Sequence, residues 1–205
     1  HDLGIDTLGE YAHALGLGVS TGIELVETTG NMSNAANHMD YAGSEWRIGD
    51  TLQAAIGQSD SVFTPLQLAE YCAAVANNGE RHSASILKSI RNYDYSEKVY
   101  ERQDEVLSTV ESPQYNWDAI HEGMKEVINS PLNETNYLNF YDCAVTVAGK
   151  TGTAQKGEGI KNDGLFICYA PYEDPEIAVA VVVERGHAGA SVGFIARQIV
   201  DVYLN

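Results

Sequence analysis

Basic side chains are scarce in this sequence: 12 lysines and arginines stand against 29 aspartates and glutamates, leaving a net charge of −17 over 205 residues. So acidic a chain repels phosphate backbones and anionic lipid, which argues against nucleic acid and against an anionic membrane surface as partners. Long apolar runs are missing too. No stretch approaches the roughly 20 residues that cross a bilayer, and no signal-like segment opens the sequence. Cysteine is limited to Cys72, Cys143 and Cys168. An odd number in apolar surroundings favours buried free thiols over a disulfide framework, and the spacing fits no zinc pattern. Nothing calls for a metal or another cofactor.

What remains is ordinary globular material. A hydrophobic content of 44% suffices for one sizeable core, and nothing demands a second domain, so residues 1–205 are read as one. Residues 6–15 have helical apolar spacing with Gly16 and Gly18 as stop signals. A loop-rich stretch, 28–44, carries His38, which could serve as a substrate contact but is read as a solvated loop histidine. Thr64 and Pro65 start a helix that ends at Asn77-Asn78-Gly79, with Leu68, Tyr71, Cys72, Val75 and Ala76 inward. Residues 84–111 alternate as short strands, with a turn at Asn92-Tyr93-Asp94 and a solvated charged face from Glu97 to Glu105. Pro113 to Asn129 reads as an amphipathic helix with Trp117, Ile120, Met124, Val127 and Ile128 inward, and His121 at the surface or the core edge.

The last third is the clearest. Cys143 to Ala148 are small or β-branched and predict a buried strand. A loop from Lys156 to Gly164 follows, its glycines and charges suggesting mobility; strands 165–170 and 177–184 then form a hairpin across a turn at 172–175. A glycine-rich link, 186–189, leads to a helix from about Val192 to Leu204 that packs through Val192, Ile195, Ile199, Val200 and Tyr203. The implied class is α+β, an antiparallel sheet covered by helices.

The chemistry concentrates in Ala148-Gly149-Lys150-Thr151-Gly152-Thr153-Ala154-Gln155. Gly149 and Gly152 remove side chains where a ligand would come close, Lys150 offers one compact cation, and Thr151 and Thr153 offer hydroxyls and backbone N–H groups. On a strand the two threonines share a face and Lys150 takes the other. The run suits an anionic, carbonyl-bearing substrate; the plainer reading is an exposed edge strand with a solvated lysine. A phosphate-binding loop would need a glycine where Ala144 stands.

Lys-Thr-Gly belongs, with Ser-x-x-Lys and Ser-x-Asn, to the motif set of penicillin-binding proteins and class A β-lactamases. The chain resembles the transpeptidase domain of a penicillin-binding protein. The resemblance extends to Gly49-Asp50-Thr51, Ala55-Ile56-Gly57-Gln58 and Thr64 to Ala69 beside the site, to Trp117-Asp118 and Glu122-Gly123-Met124, and to Tyr169-Ala170-Pro171 with the strand after it. It departs at Ser59, where the family often has glycine, at Asp163 to Phe166, which lacks the common histidine and tryptophan, and at Gly193-Phe194, which replaces Ala-Pro. His1 to Asp6 looks like sequence a short way beyond Ser-x-Asn. The nucleophilic serine and both of its motifs would then precede the chain, which is expected to be the carboxy-terminal part of the domain and inactive alone.

Two look-alikes sit inside the chain. Ser85-Ile86-Leu87-Lys88 fits Ser-x-x-Lys but lies in a strand-like stretch, where serine and lysine would face opposite ways. Tyr137-Leu138-Asn139 imitates Tyr-x-Asn, yet comes just before the third motif.

The resemblance implies serine acyl transfer on D-Ala-D-Ala stem peptides of peptidoglycan, with β-lactams as inhibitors. It implies the backbone N–H of Thr153 as an oxyanion donor, with Lys150 supplying positive potential. Thr151, Gly152 and Thr153 would form the substrate-binding strand, the two hydroxyls holding the terminal carboxylate. Alternatives on the same scaffold are a β-lactamase, a D,D-carboxypeptidase or a non-catalytic sensor module. The expected partners are stem peptides, β-lactams and the amino-terminal half of the same domain, with self-association through apolar surface which that half would cover. The expected place is outside the cytoplasm, the parent anchored through an amino-terminal segment absent here.

Overall fold

A computed structural model of the chain describes residues 3–204; the first two residues of the amino-terminal match, His1 and Asp2, lie outside them. The chain opens with α1 (Ile5–Ala14) and two short helices, α2 (His38–Ala42) and α3 (Ile48–Ala54), separated by irregular segments. Then comes α4 (Pro65–Ala76). Thr64 accepts from the Gln67 N–H at 3.2 Å and Gln67 returns its side chain to the Thr64 N–H at 3.0 Å, a reciprocal cap. The helix stops at Asn78, which takes a left-handed φ of 54°. The N–H of Asn78 reaches Val75 O and that of Gly79 reaches Ala74 O, which closes the last carbonyls.

Four short strands follow as two antiparallel pairs: β1 (Glu80–His82) with β4 (Val106–Thr109), and β2 (Ser89–Arg91) with β3 (Lys98–Glu101). Helices α5 (Gln114–Asn129) and α6 (Glu134–Phe140) lead to the main sheet, β5 (Ala148–Ala154), β6 (Asp163–Ala170) and β7 (Ile177–Val183), antiparallel in the order β5-β6-β7. A 3-10 turn (Gly189–Val192) enters the last helix, α7 (Gly193–Leu204).

Strand alternation divides the core. Phe166, Cys168 and Ala170 of β6 and Val179 and Val181 of β7 point to one face, where Phe140 of α6 and Val192, Ala196 and Val200 of the carboxy-terminal turn and helix cover them. The Phe140 and Phe166 rings stack at 5.7 Å. Tyr169 and Ile167 point to the other face, against Cys72 of α4 and Met124 of α5. The α+β class and the helix-covered antiparallel sheet are as read from the sequence.

Several details differ. Cys143 to Val147 form no strand, although Val147 is fully buried. Their backbone acceptors are met elsewhere, Val147 O by Asn129 and Thr146 O by the Tyr172 N–H, so apolar composition is satisfied without a ladder. Ile120 is exposed because the inward stripe of α5 runs through buried Trp117 and Ile128 with half-buried His121 and Met124 between them, His121 standing at the core edge. On α7 the inward stripe is Ala196 and Val200, continued by Val192 of the 3-10 turn, which leaves Ile199 and Tyr203 exposed. Strand β6 starts two residues early, at Asp163, and Ile86 to Lys88 stay outside any strand. Cys72 and Cys168 are buried free thiols and Cys143 is partly buried; burial pushes the Cys168 thiol up to about 12.

Candidate active site

Strand β5 is an edge strand, and its sequence explains how tightly its inner side is packed. A Cβ at Gly149 would stand 2.6 Å from Ile167 O. The 3-10 turn lies flat on the strands: a Cβ at Gly189 would meet Leu165 O at 2.3 Å and both Gly152 N and Gly152 O at 2.6 Å. Only glycine permits that approach. The Gly189 N–H points to the Thr153 hydroxyl at 3.4 Å.

The outer edge is polar and open. Lys150 is exposed and its Nζ donates to Thr151 O at 2.6 Å; Gln58 Nε2 donates to Thr153 O at 3.0 Å. Those two carbonyls therefore face away from β6. In an antiparallel strand a residue's N–H points the same way as its C=O, so Thr151 and Thr153 direct their N–H groups to the free edge as well. One cation, two hydroxyls and outward N–H groups are thus gathered along four residues, Lys150 to Thr153. They suit an extended, anionic ligand with a carbonyl near Thr153.

The end of β5 is tied down by charge. Lys156 and Asp163 pair at 2.7 Å across the loop that Lys156 opens. The ammonium of Lys156, helped by the Arg185 N–H, holds the Asp163 carboxyl below its usual range, and Asp163 in turn raises Lys156. The segment expected to be mobile is anchored at both ends by this pair.

Sequence reasoning placed Lys150, Thr151, Gly152 and Thr153 correctly on one strand, but it gave Gln58 and Gly189 no task. Gln58 carries a weak signal, a polar side chain in a glycine-bearing loop just ahead of the α4 cap. Gly189 carries none beyond its composition.

His38 corrects the sequence reading. It is buried, 4% exposed, in α2. Its Nδ1 lies 2.5 Å from Asp60 Oδ2; its Nε2 lies 3.3 Å from Ser44 Oγ and 3.6 Å from Asp50 Oδ2. Trp46 packs edge-on against the ring at 5.1 Å. The order Ser44, His38, Asp60 imitates a nucleophile–base–acid row. With a carboxylate at each nitrogen, however, the imidazole is placed to hold two segments together, not to shuttle a proton.

The look-alikes fall away. Ser85 donates its hydroxyl to the Glu24 carboxylate, which with the Ile86 N–H holds that acid down at about 2. Ser85 and Lys88 lie outside any helix. Tyr137-Leu138-Asn139 sits on α6, where Asn139 Nδ2 donates to Ala190 O at 3.3 Å under the 3-10 turn. His121 engages Tyr169 OH at 2.6 Å and Asn78 Oδ1 at 3.1 Å, and burial lowers its pKa. Tyr169 pairs with Ala148 at the far end of β5, roughly 17 Å from Thr153 at about 3.3 Å per residue. Among the described residues no cluster of three or more His, Cys, Asp or Glu side chains could hold a metal ion.

Comparison with known proteins agrees with this geometry. The peptidoglycan D,D-transpeptidase MrdA of Haemophilus influenzae is 32% identical over all of this chain and 34% of its own length. Pseudomonas aeruginosa PBP2 in complex with WCK 5153 superposes with a TM-score of 0.84 at 30% identity, over 100% of this chain and 45% of that one. The imipenem acyl-enzyme complex of penicillin-binding protein A from Mycobacterium tuberculosis gives 0.75 at 26% identity, over 98% and 42%. The chain spans about a third of the length of the curated relatives it matches. The signature of the penicillin binding protein transpeptidase domain covers residues 1–201, and with the motif strand in place this chain belongs to that family.

Proposed function

We propose that this chain supplies the Lys-Thr-Gly-Thr wall of a peptidoglycan D,D-transpeptidase site and works with a serine that it does not itself carry. The observation that carries the reading is the free edge of β5, where Thr153 turns its backbone outward beside Lys150. An extended D-alanyl-D-alanine peptide pairs with that edge. The serine attacks the penultimate D-alanine carbonyl, and negative charge gathers on its oxygen as the tetrahedral centre forms. The Thr153 N–H meets that oxygen, an interaction worth more in the transition state than in the ground state. The Thr151 and Thr153 hydroxyls hold the terminal carboxylate and Lys150 adds positive potential. Terminal D-alanine leaves, and the amine of a neighbouring stem peptide resolves the ester.

The chain contains one Ser-x-x-Lys, at Ser85, and no Ser-x-Asn. With Ser85 committed to Glu24, the chain by itself has no nucleophile at the strand and is inactive. A β-lactam offers a carboxylate and a strained carbonyl in the same arrangement, so it acylates the complete site. No helix among the described residues is long and apolar enough to cross a membrane. The substrate class places the work outside the cytoplasm, on a parent held at the membrane by a segment outside this sequence.

The test is covalent labelling by a fluorescent penicillin, read by intact mass. This chain should show no adduct, and a longer protein that joins it to Ser-x-x-Lys and Ser-x-Asn motifs should show one. Lys150→Ala in the longer protein should slow acylation by about a hundredfold or more, as loss of a preorganised electrostatic group does. An adduct on the short chain at Ser85 would overturn the assignment, and rapid turnover of the drug would make the enzyme a β-lactamase.

A further inference from the structure

We infer that His38 is a positioning residue for the Thr153 oxyanion donor, acting through the loop that carries Gln58. The inference rests on the transpeptidase reading of β5.

Gln58 is the side chain that grips Thr153 O, and it lies between two carboxylates in sequence, Asp50 and Asp60. Asp50 opens α3, where its Oδ2 accepts from the Arg47 N–H at 2.7 Å. Asp60 closes the loop, and its carbonyl accepts from Asn31 Nδ2 at 2.9 Å. Both carboxylates face the imidazole of His38, one at each nitrogen. The buried ring thus bonds the end of the segment through Asp60 and braces its start through Trp46 and the nearby Asp50, and between them Gln58 holds the motif strand. The ring is itself fixed, by Trp46 edge-on, and Trp46 donates its indole N–H to Thr51 Oγ1 of α3 at 3.0 Å.

The loop needs such a tie. Gly57 and Ser59, on either side of Gln58, both have left-handed φ values, 77° and 68°. Glycine adopts that conformation freely, whereas serine is strained there by about 1 kcal/mol or more. The conformation that presents Gln58 is thus not one the local sequence prefers, and it persists where its ends are held. Released, the loop relaxes and Gln58 leaves Thr153. The edge of β5 then loses its outer anchor at the residue whose N–H must meet the developing oxyanion. Misplacement of a donor by a fraction of an ångström affects the chemical step more than ground-state binding.

The test uses the longer protein described above and resolves acylation by a chromogenic cephalosporin into its non-covalent dissociation constant and its acylation rate constant. His38→Ala should lower the rate constant by about tenfold and leave the dissociation constant within about twofold. His38→Asn, whose amide can replace Nδ1 toward Asp60, should recover most of the rate. Gln58→Ala should resemble His38→Ala, and the double variant should be no slower than either alone, since both remove the same support. Should His38→Ala fail to fold, Gln58→Ala and His38→Asn decide the matter. A wild-type rate constant in the His38 and Gln58 variants, or additive losses, would overturn the positioning role and leave the transpeptidase reading standing. Failure of the wild-type longer protein to acylate would remove both.

Discussion

Among single residues, Glu70 is the most informative outside the site. It lies on α4, 8% exposed, and neither carboxylate oxygen meets a hydrogen-bond donor within the described residues; Arg81 Nε stands 3.8 Å away. Burial pushes its pKa up to about 7; Arg81 pulls it down and Glu27 adds to the rise. In the unfolded chain the group returns to an ordinary carboxylate value, so between about pH 4.5 and 7 the folded state binds the extra proton. The contribution to stability is therefore full below that window and is lost as pH rises through about 7. Glu70→Gln should flatten this dependence. Urea unfolding from pH 4.5 to 8 should show the variant gaining on the wild type by roughly 1–3 kcal/mol as pH rises. An unchanged difference across that range would contradict it. Nothing in the sequence pointed to Glu70, because a glutamate on an amphipathic helix is ordinarily solvated. His38 escaped for the same reason: a histidine in a run of Asn, Gly and Ser reads as solvent-facing until Asp50 and Asp60 are folded around it.

Elements with local punctuation were legible. The α4 start at Thr64-Pro65 and its stop at Asn77-Asn78-Gly79 were read from capping chemistry alone, and the β6–β7 hairpin from a short turn between two apolar runs. The irregular entry to β5 was not, since its composition is that of a strand and the partners that hold it, Asn129 and Tyr172, are distant in sequence. Helices α2, α3 and α6 are too short to leave a periodic trace. The cap of α4 also ties the element to its surroundings, because Gln67 is fully buried and donates to both Val19 O and Thr29 O at 2.7 Å. Thr64→Ala should destabilise the chain by about 1 kcal/mol. Gln67→Leu should lose about 2–3 kcal/mol, for it strands two carbonyls as well as the cap. Equal effects of the two substitutions in urea denaturation would mean that Gln67 acts only as a cap.

At the scale of the whole molecule, uncovered apolar surface stands out. Ile48, Leu52 and Ile56 recur every fourth residue along α3 and the turn after it, and are 69%, 53% and 72% exposed. Beside them an open apolar cleft of about 260 Å³ runs between α1 and α4, with Tyr11, Leu17, Phe63 and Tyr71 in its walls. A stripe and a cleft of this kind ask for a cover. In the longer protein that cover is proposed to be the serine-bearing half of the domain; alone, the chain should associate with itself. Light scattering behind a sizing column should show mass rising with concentration, and more so in 1 M salt, which screens the repulsion expected from a charge of −17. A monomer at every concentration that binds no apolar dye would count against the idea. The free edge of β5 carries a consequence of its own. The backbone groups that alternate residues of this seven-residue strand turn outward are also a template on which a stray strand from another copy can grow into a fibre. Lys150, exposed and third along that strand, is then a gatekeeper in every molecule whose cleft is empty, guarding solubility quite apart from any part it takes in chemistry.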